Sequence, residues 1–544
     1  MRSRPPAAAP LAVRLSLGGW LAGFVLVGIT GCEPAPEPAF VPPPKYAGLL
    51  EELRTGTRAE VEDFETGERE ERDLVGFDEA LLKRFGTPTD PAVFTSLPVE
   101  FSSQRAEVTE VTEDPEAKTT TFLLAPVAGT EALPPIAVGD VLHWNGEMGK
   151  PHEAAVTAVE GDAVTIPLIP FENYPAAFPP AFDEATGEPL PATLVVGDAE
   201  LLEQGRDLYT VHCMHCHGSA GGGDGPTAKY LHPLPRDYRL GVYKFTSTGS
   251  GVPSREDLTR VLREGIPGTY MPSFHPALNA AQTAAVVEYV RWLSMQGQYA
   301  GALANEADVF YGAQAIEERL SSEEGLTRED LVKELTDAWD YNVSDQLTFI
   351  TAPVAEPWAL AETEPPVTPG EPRPVLTGAE LAASVERGRG LYLQKSTQCA
   401  SCHGSRGLGN GPQTVSVLID AATGQPYAEP GIHDVWGEVV MPRNLTRGIY
   451  RGGRRPIDLY RRVHSGIVGS NMPGFGDNLS DAQIWDLVNF LLALPLDPSL
   501  LDGAEPEPTA DPTAEEPAVA AAPARVLPSP VVPPTASQKK ADRS

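Results

Sequence analysis

Cysteine is scarce in this chain, with five residues in 544. Four of them fall into two short motifs, and Cys32 stands alone near the N-terminus, so no pair remains for a structural disulfide. Positive charge is also in deficit, because 41 Lys and Arg face 75 Asp and Glu, which gives a formal net charge of -34. Such a chain is a poor nucleic-acid binder and a suitable partner for a basic protein face.

The N-terminal apolar run, residues 15–29, is short for a membrane span and follows three arginines. This is the pattern of a signal peptide, and its end, with small residues directly before Cys32, resembles the bacterial lipobox. The resemblance implies that Cys32 is lipidated and becomes the mature N-terminus. We therefore predict a lipoprotein signal peptide at residues 1–31 and a Pro-rich tether at residues 32–45. A retained transmembrane anchor at residues 15–31 is the alternative.

The pattern C-x-x-C-H occurs twice, at residues 213–217 and 399–403. It is the attachment signature of a c-type haem, in which two thiols form thioether bonds to the porphyrin edge and the histidine binds iron from the proximal side. The sequence therefore predicts two covalently bound haem c groups. The attachment residues are Cys213, Cys216, Cys399 and Cys402, and the proximal ligands are His217 and His403. A zinc site or a redox dithiol is the alternative for a C-x-x-C pair.

The sixth iron ligand decides whether each haem is closed. The downstream candidates are His232, Met271, His275 and Met295 after the first motif, and His433, Met441, His464 and Met472 after the second. Met271 and Met472 stand in register in an internal repeat, and each precedes a proline that stiffens the loop. Met441 also precedes proline, but it aligns with Leu234, which cannot bind iron. We predict Met271 and Met472 as axial ligands, with Met441 as the rival of Met472.

The repeat divides the chain, and abundant Pro (55) and Gly (51) indicate linkers between its parts. We predict a first haem domain at 196–300, an acidic helical connector and Pro-rich linker at 301–375, a second haem domain at 376–497, and a disordered tail at 498–544. Residues 46–195 form a further domain of unknown role. It is predicted to be helical at 46–85 and β-rich around 119–124, 138–144 and 163–169. A docking or spacing module is its simplest interpretation.

Each haem unit resembles a class I cytochrome c domain, of the kind found in cytochrome subunits of bacterial oxidases and oxidoreductases. The resemblance covers residues 198–297 and 378–495, and it implies a small, mainly helical bundle around each haem. The fold class expected is therefore multidomain: two mainly α class I cytochrome c domains in tandem, a small β-rich domain before them, Pro-rich linkers and a disordered tail.

The function expected is electron transfer rather than catalysis. A dihaem cytochrome c tethered to the bacterial cell envelope by lipid and facing the periplasm would carry single electrons from a membrane respiratory donor to an oxidase or a small soluble carrier. A dihaem peroxidase is the alternative, and it needs one haem with an open face. A scaffold protein in which the haems have only a structural role is a third hypothesis.

Overall fold

The computed structural model describes residues 40, 46, 49, 58–62, 69–73, 77–145, 151–168, 181–182, 189–420 and 424–503. The predicted signal peptide, Cys32, most of the tether and the tail beyond residue 503 lie outside the described residues. All described residues belong to one unit of contacts, which begins at Pro38. Among their helices, none is both long enough and apolar enough to cross a membrane.

Two paired strands lie at residues 58–62 and 69–73, where the sequence pattern predicted helix. Strand β1 (Arg58–Glu62) pairs antiparallel with β2 (Arg69–Asp73). Charged and apolar residues alternate along β1, which suits a strand, and the backbone register pairs Arg58 with Asp73 and Glu62 with Arg69. Helix α1 (Phe77–Phe85) and the short pair β3 (Gly86–Thr87) and β4 (Asp90–Pro91) follow. Of the segment predicted to be helical, residues 46, 49 and 77–85 are helical and the paired strands are not.

An antiparallel sheet of seven strands confirms the β-rich N-terminal region. Its strands are β5 (Arg105–Asp114), β6 (Thr119–Pro126), β7 (Val141–Asn145), β8 (Pro151–Ala155), β9 (Ala158–Glu160), β10 (Ala163–Pro167) and, after the short pair β11 (Ala181–Phe182) and β12 (Pro189–Leu190), β13 (Ala192–Val196). Their order is β8-β7-β13-β5-β6-β10-β9. Buried and exposed residues alternate along β6 and β10, so one face covers a core around Phe122 and Trp144. Strand β13 leads directly into the first haem region.

Two sets of four helices, one per motif, form the helical part. The first set is α2 (Glu200–His212), α3 (Met214–His217), α4 (Arg255–Glu264) and α5 (Ala280–Tyr311). Two helices of the next segment, α6 (Ala313–Ser322) and α7 (Arg328–Thr363), precede the second set. That set is α8 (Gly378–Leu393), α9 (Cys399–His403), α10 (Pro456–Ser465) and α11 (Asp481–Ala493). Short 3-10 turns lie at Ala228–Tyr230, Pro412–Val415, Leu445–Arg447 and Pro498–Leu501.

The first and last helices of each set cross at a glycine. A Cβ on Gly205 of α2 would clash with the backbone of Ala285 in α5, and a Cβ on Gly388 of α8 would clash with the backbone of Asp486 in α11. Capping boxes begin both closing helices, at Asn279 and Ser480. The same helix pair, with the same close approach, therefore frames both haem regions.

The Pro-rich linker predicted at the end of residues 301–375 is shorter than its prolines suggest, because α7 continues to residue 363 through Pro353 and Pro357. A proline inside a helix costs about 3 kcal/mol, so the helix needs compensating contacts. Trp358 supplies them: its side chain is fully buried in the core of the first haem region, and its Nε1 donates to Gln298 Oε1 at 2.8 Å. The buried residues Ile350 and Val354 lie on the same helix face. Only the residues after 363 remain non-helical as predicted.

Candidate haem centres

Both C-x-x-C-H motifs occupy short helices, α3 and α9, that follow the first helix of their set. Each short helix ends at a glycine with positive φ, Gly218 (77°) and Gly404 (79°). A buried tyrosine from the preceding helix fixes this end: the Tyr209 hydroxyl donates to the Gly218 carbonyl at 2.7 Å, and the Tyr392 hydroxyl donates to the Gly404 carbonyl at 2.5 Å. The two motifs are thus held in the same way.

The two proximal histidines share one hydrogen-bond arrangement. His217 Nδ1 lies 3.0 Å from the carbonyl oxygen of Arg236, and His403 Nδ1 lies 3.0 Å from that of Arg443. A carbonyl only accepts, so each Nδ1 carries the proton and leaves Nε2 with a free lone pair for a metal. Burial lowers the pKa of His217 to about 4 and also lowers the pKa of His403, which keeps both imidazoles neutral. Both are therefore suitable iron ligands.

The cysteine chemistry fits haem attachment better than a redox dithiol. Among the described residues, none of the four motif cysteines forms a disulfide. Burial raises the pKa of Cys213 to about 12 and raises the pKa values of Cys399 and Cys402, whereas a reactive dithiol needs a lowered pKa. Within the described ranges, no group of three or more His, Cys, Asp or Glu side chains converges as a metal site, so a zinc site has no ligand set there.

The two loops that carry the predicted methionine ligands have matching backbone geometry. One backbone hydrogen bond closes each loop: Ile266 N donates to the Met271 carbonyl at 3.0 Å, and Ile467 N donates to the Met472 carbonyl at 3.1 Å. A hydroxyl inside each loop then accepts from the methionine nitrogen, at Thr269 Oγ1 (3.1 Å) and Ser470 Oγ (3.3 Å). Both methionines are partly buried. The sequence register that pairs Met271 with Met472 is therefore also a structural one.

Met441 lies elsewhere. It stands two residues before Arg443, whose carbonyl accepts the hydrogen bond from the proximal His403. Leu234 likewise stands two residues before Arg236, whose carbonyl accepts from His217. The exposed fractions of the two side chains are similar, 48% for Met441 and 44% for Leu234. Met441 thus belongs to the segment beside the proximal histidine, whereas a sixth ligand must approach from the opposite side of the porphyrin. This geometry favours Met472, whose assignment stays a prediction.

The remaining candidates have other surroundings. Met295 is fully buried in the core around α5, and His232 and His275 are exposed. His433 stacks on Tyr427 with ring centroids 3.8 Å apart, and His464 stacks on Tyr460 at 5.6 Å. Met295, His433 and His464 therefore take part in packing, and His232 and His275 are exposed to solvent.

Sequence reasoning missed the carbonyl groups of Arg236 and Arg443 as partners of the proximal histidines. The signal was present, because Pro-Arg occurs in register in both copies. It also missed one difference between the copies. Asp237 and Arg239 form a buried ion pair at 2.7 Å in the first, and neutral Asn444 bonds to Thr446 in the second.

Comparison with known proteins identifies both regions. The family model for cytochrome c matches residues 202–294 and 385–495. A search of the curated proteins found no match. Among solved structures, a chain of the reducing HAO-like protein complex of Kuenenia stuttgartiensis is 26% identical, over 54% of this chain and 96% of that chain, with a TM-score of 0.36. A TM-score of this size does not establish a shared fold. The chain therefore contains two cytochrome c domains, one around each C-x-x-C-H motif, and such domains bind haem c and transfer electrons.

Proposed function

We propose that this chain is a membrane-tethered dihaem cytochrome c that carries single electrons between a membrane respiratory donor and an oxidase or a small soluble carrier. The observation that supports the proposal is the matched pair of methionine loops, at Met271 and Met472, in domains whose proximal histidines are neutral. Two haems with histidine and methionine ligands are closed centres, which favours electron transfer over binding of a substrate.

The chain's own residues define what each centre does. When bound, haem c supplies an iron that changes between the ferrous and ferric states. The carbonyls of Arg236 and Arg443 orient the proximal imidazoles and increase their basicity, and the sulfurs of Met271 and Met472, as ligands of a bound haem iron, would favour the ferrous state. The close helix crossings at Gly205 and Gly388 frame both sets of groups.

The expected location and partners rest on the sequence. Lipidation at Cys32 would hold the protein at the cell envelope, with its cytochrome domains in the periplasm. The formal charge of -34 suits a redox partner that docks with a basic face, because opposite charges speed encounter. Nucleic acid is not an expected partner.

The experiment that tests this function separates it from a dihaem peroxidase. Mass spectrometry and pyridine haemochrome spectra of the denatured protein should give two covalent haems. A redox titration with spectra should show two reversible one-electron couples of six-coordinate haem. The reduced protein should not bind carbon monoxide, and hydrogen peroxide should not be turned over. An open haem that binds carbon monoxide and supports peroxide turnover would refute the proposal in favour of the peroxidase.

A further inference from the structure

The two cytochrome c domains contact each other through equivalent loops. Gly268, in the Met271 loop, approaches the second domain so closely that a Cβ (methyl group) added to it would lie 2.8 Å from Ile449 Cγ2. A methyl group on Gly469, in the Met472 loop, would lie 2.7 Å from Val242 Cγ1 of the first domain. Gly268 and Gly469 occupy the same position of the repeat. Each methionine loop therefore packs on the partner domain.

The surface that each loop meets is also equivalent in the two domains. Ile449 follows Arg443 by six residues, and Val242 follows Arg236 by six residues. The methyl group on Gly268 would also lie 3.1 Å from Arg443 Nη2. The Met271 loop of the first domain thus contacts the segment of the second domain whose Arg443 carbonyl orients the proximal histidine.

A single aromatic side chain breaks this reciprocity. Trp436 lies in the insertion between Val415 and Val440, which the first domain lacks, and its indole ring lies between Arg236 and Gly469. The Arg236 Cζ is 3.6 Å from the ring centroid, and the methyl group on Gly469 would be 2.9 Å from the ring edge. At the equivalent contact of the Met271 loop, Arg443 lies directly beside Gly268.

Further contacts anchor the indole. Asp434 Oδ2 pairs with Lys244 Nζ at 2.8 Å, with side chains only 6% and 16% exposed, and Val435 N donates to the Gly469 carbonyl at 3.2 Å. Trp436 Nε1 has no hydrogen-bond partner among the described residues, so the ring is held by its faces and edges. Burial lowers the pKa of Arg236 to about 10, and it stays charged at neutral pH, as a cation–π contact requires.

We propose that Trp436 is a positioning residue for both haem centres. It fixes Arg236, which orients His217 of the first haem, against the Met472 loop of the second, and so sets the potential of the first haem and the electron exchange between the two. This inference rests on the proposed electron-transfer function. It assigns to the insertion of the second domain a role in the redox properties of the first.

The test compares Trp436→Ala with the wild-type holoprotein. Arg236 is only partly buried, and removal of the indole should admit more water to it and to the backbone that orients His217. A more polar environment favours the charged ferric state. We expect the ferric–ferrous equilibrium of the first haem to shift about tenfold, which lowers its potential by about 60 mV for one electron. Exchange between the haems, followed after rapid photoreduction, should become slower. Trp436→Phe keeps an aromatic face for Arg236 and should restore most of both values.

Val417→Ala is the matched control, because Val417 lies on the same insertion with its side chain 59% exposed. It should leave the potentials and the exchange rate unchanged. If Trp436→Ala retains two haems and both quantities equal those of the wild type, the inference is wrong. If that variant does not assemble, Trp436→Leu, which keeps apolar volume without an aromatic face, carries the same test. Failure of the proposed function is distinct, because it would appear as missing one-electron couples in the wild type.

Discussion

Replacement of Met472 by Ala tests the iron ligand of the second haem. The loop around Met472 repeats the hydrogen bonds of the loop around Met271, so the two sulfurs should bind their irons equivalently. Ferric haem with a thioether ligand has a weak near-red absorption band. Because two equivalent centres contribute, Met472→Ala should remove about half of this band and lower the potential of one haem.

Met441→Ala is the matched control in the same domain. Met441 is 48% exposed and lies on the proximal segment, so its loss should change the free energy of unfolding by no more than about 0.5 kcal/mol. Both the near-red band and the two potentials should remain those of the wild type. The double change Met271→Ala and Met472→Ala should abolish the band completely.

The assay is a pair of measurements on the purified holoprotein: near-red absorbance of the ferric form, normalised to haem content, and a spectroscopic redox titration. Loss of the band on Met441→Ala, with retention on Met472→Ala, would show that the two domains are not equivalent at this loop. Retention of the full band in both variants would mean that the second haem has an open face or another ligand. His464 and His433 would then be the next residues to replace, and the peroxidase alternative would regain support.

Three further predictions concern the architecture. Gly388→Ala should destabilise the second cytochrome domain strongly, because its Cβ would clash with the α11 backbone, whereas Gly390→Ala on the same helix, where a Cβ meets nothing within 4 Å, should be neutral or stabilising by about 0.4–1 kcal/mol in denaturant titrations that follow the second haem. Trp358→Ala should cost about 3–5 kcal/mol and lower the denaturant midpoint of the first domain, while Leu360→Ala, 60% exposed on the same helix, should leave it unchanged. Cys32→Ser should prevent lipidation and signal cleavage in cells, and normal-size mature protein from that variant would contradict the lipoprotein prediction.

The sequence by itself determined the two cytochrome c domains and the β-rich region before them. Haem attachment needs two thiols and an imidazole at one fixed short spacing, so five consecutive residues identify the attachment site without knowledge of the fold. The β-rich region was predictable because its stretches of β-branched and apolar residues, separated by Gly and Pro, are a local feature of the sequence.

Only the tertiary structure decided features that depend on residues far apart in the chain. The helical state of residues 352–363, despite two prolines, depends on the burial of Trp358 against the first haem domain. The location of Met441 on the segment beside the proximal histidine follows from the hydrogen bond between His403 Nδ1 and the Arg443 carbonyl, which joins residues 40 positions apart. The contact of Trp436 with Arg236 joins an insertion of one domain to the other, and nothing in the local sequence of either segment specifies its partner. Long-range packing free energy, rather than local propensity, selects these arrangements.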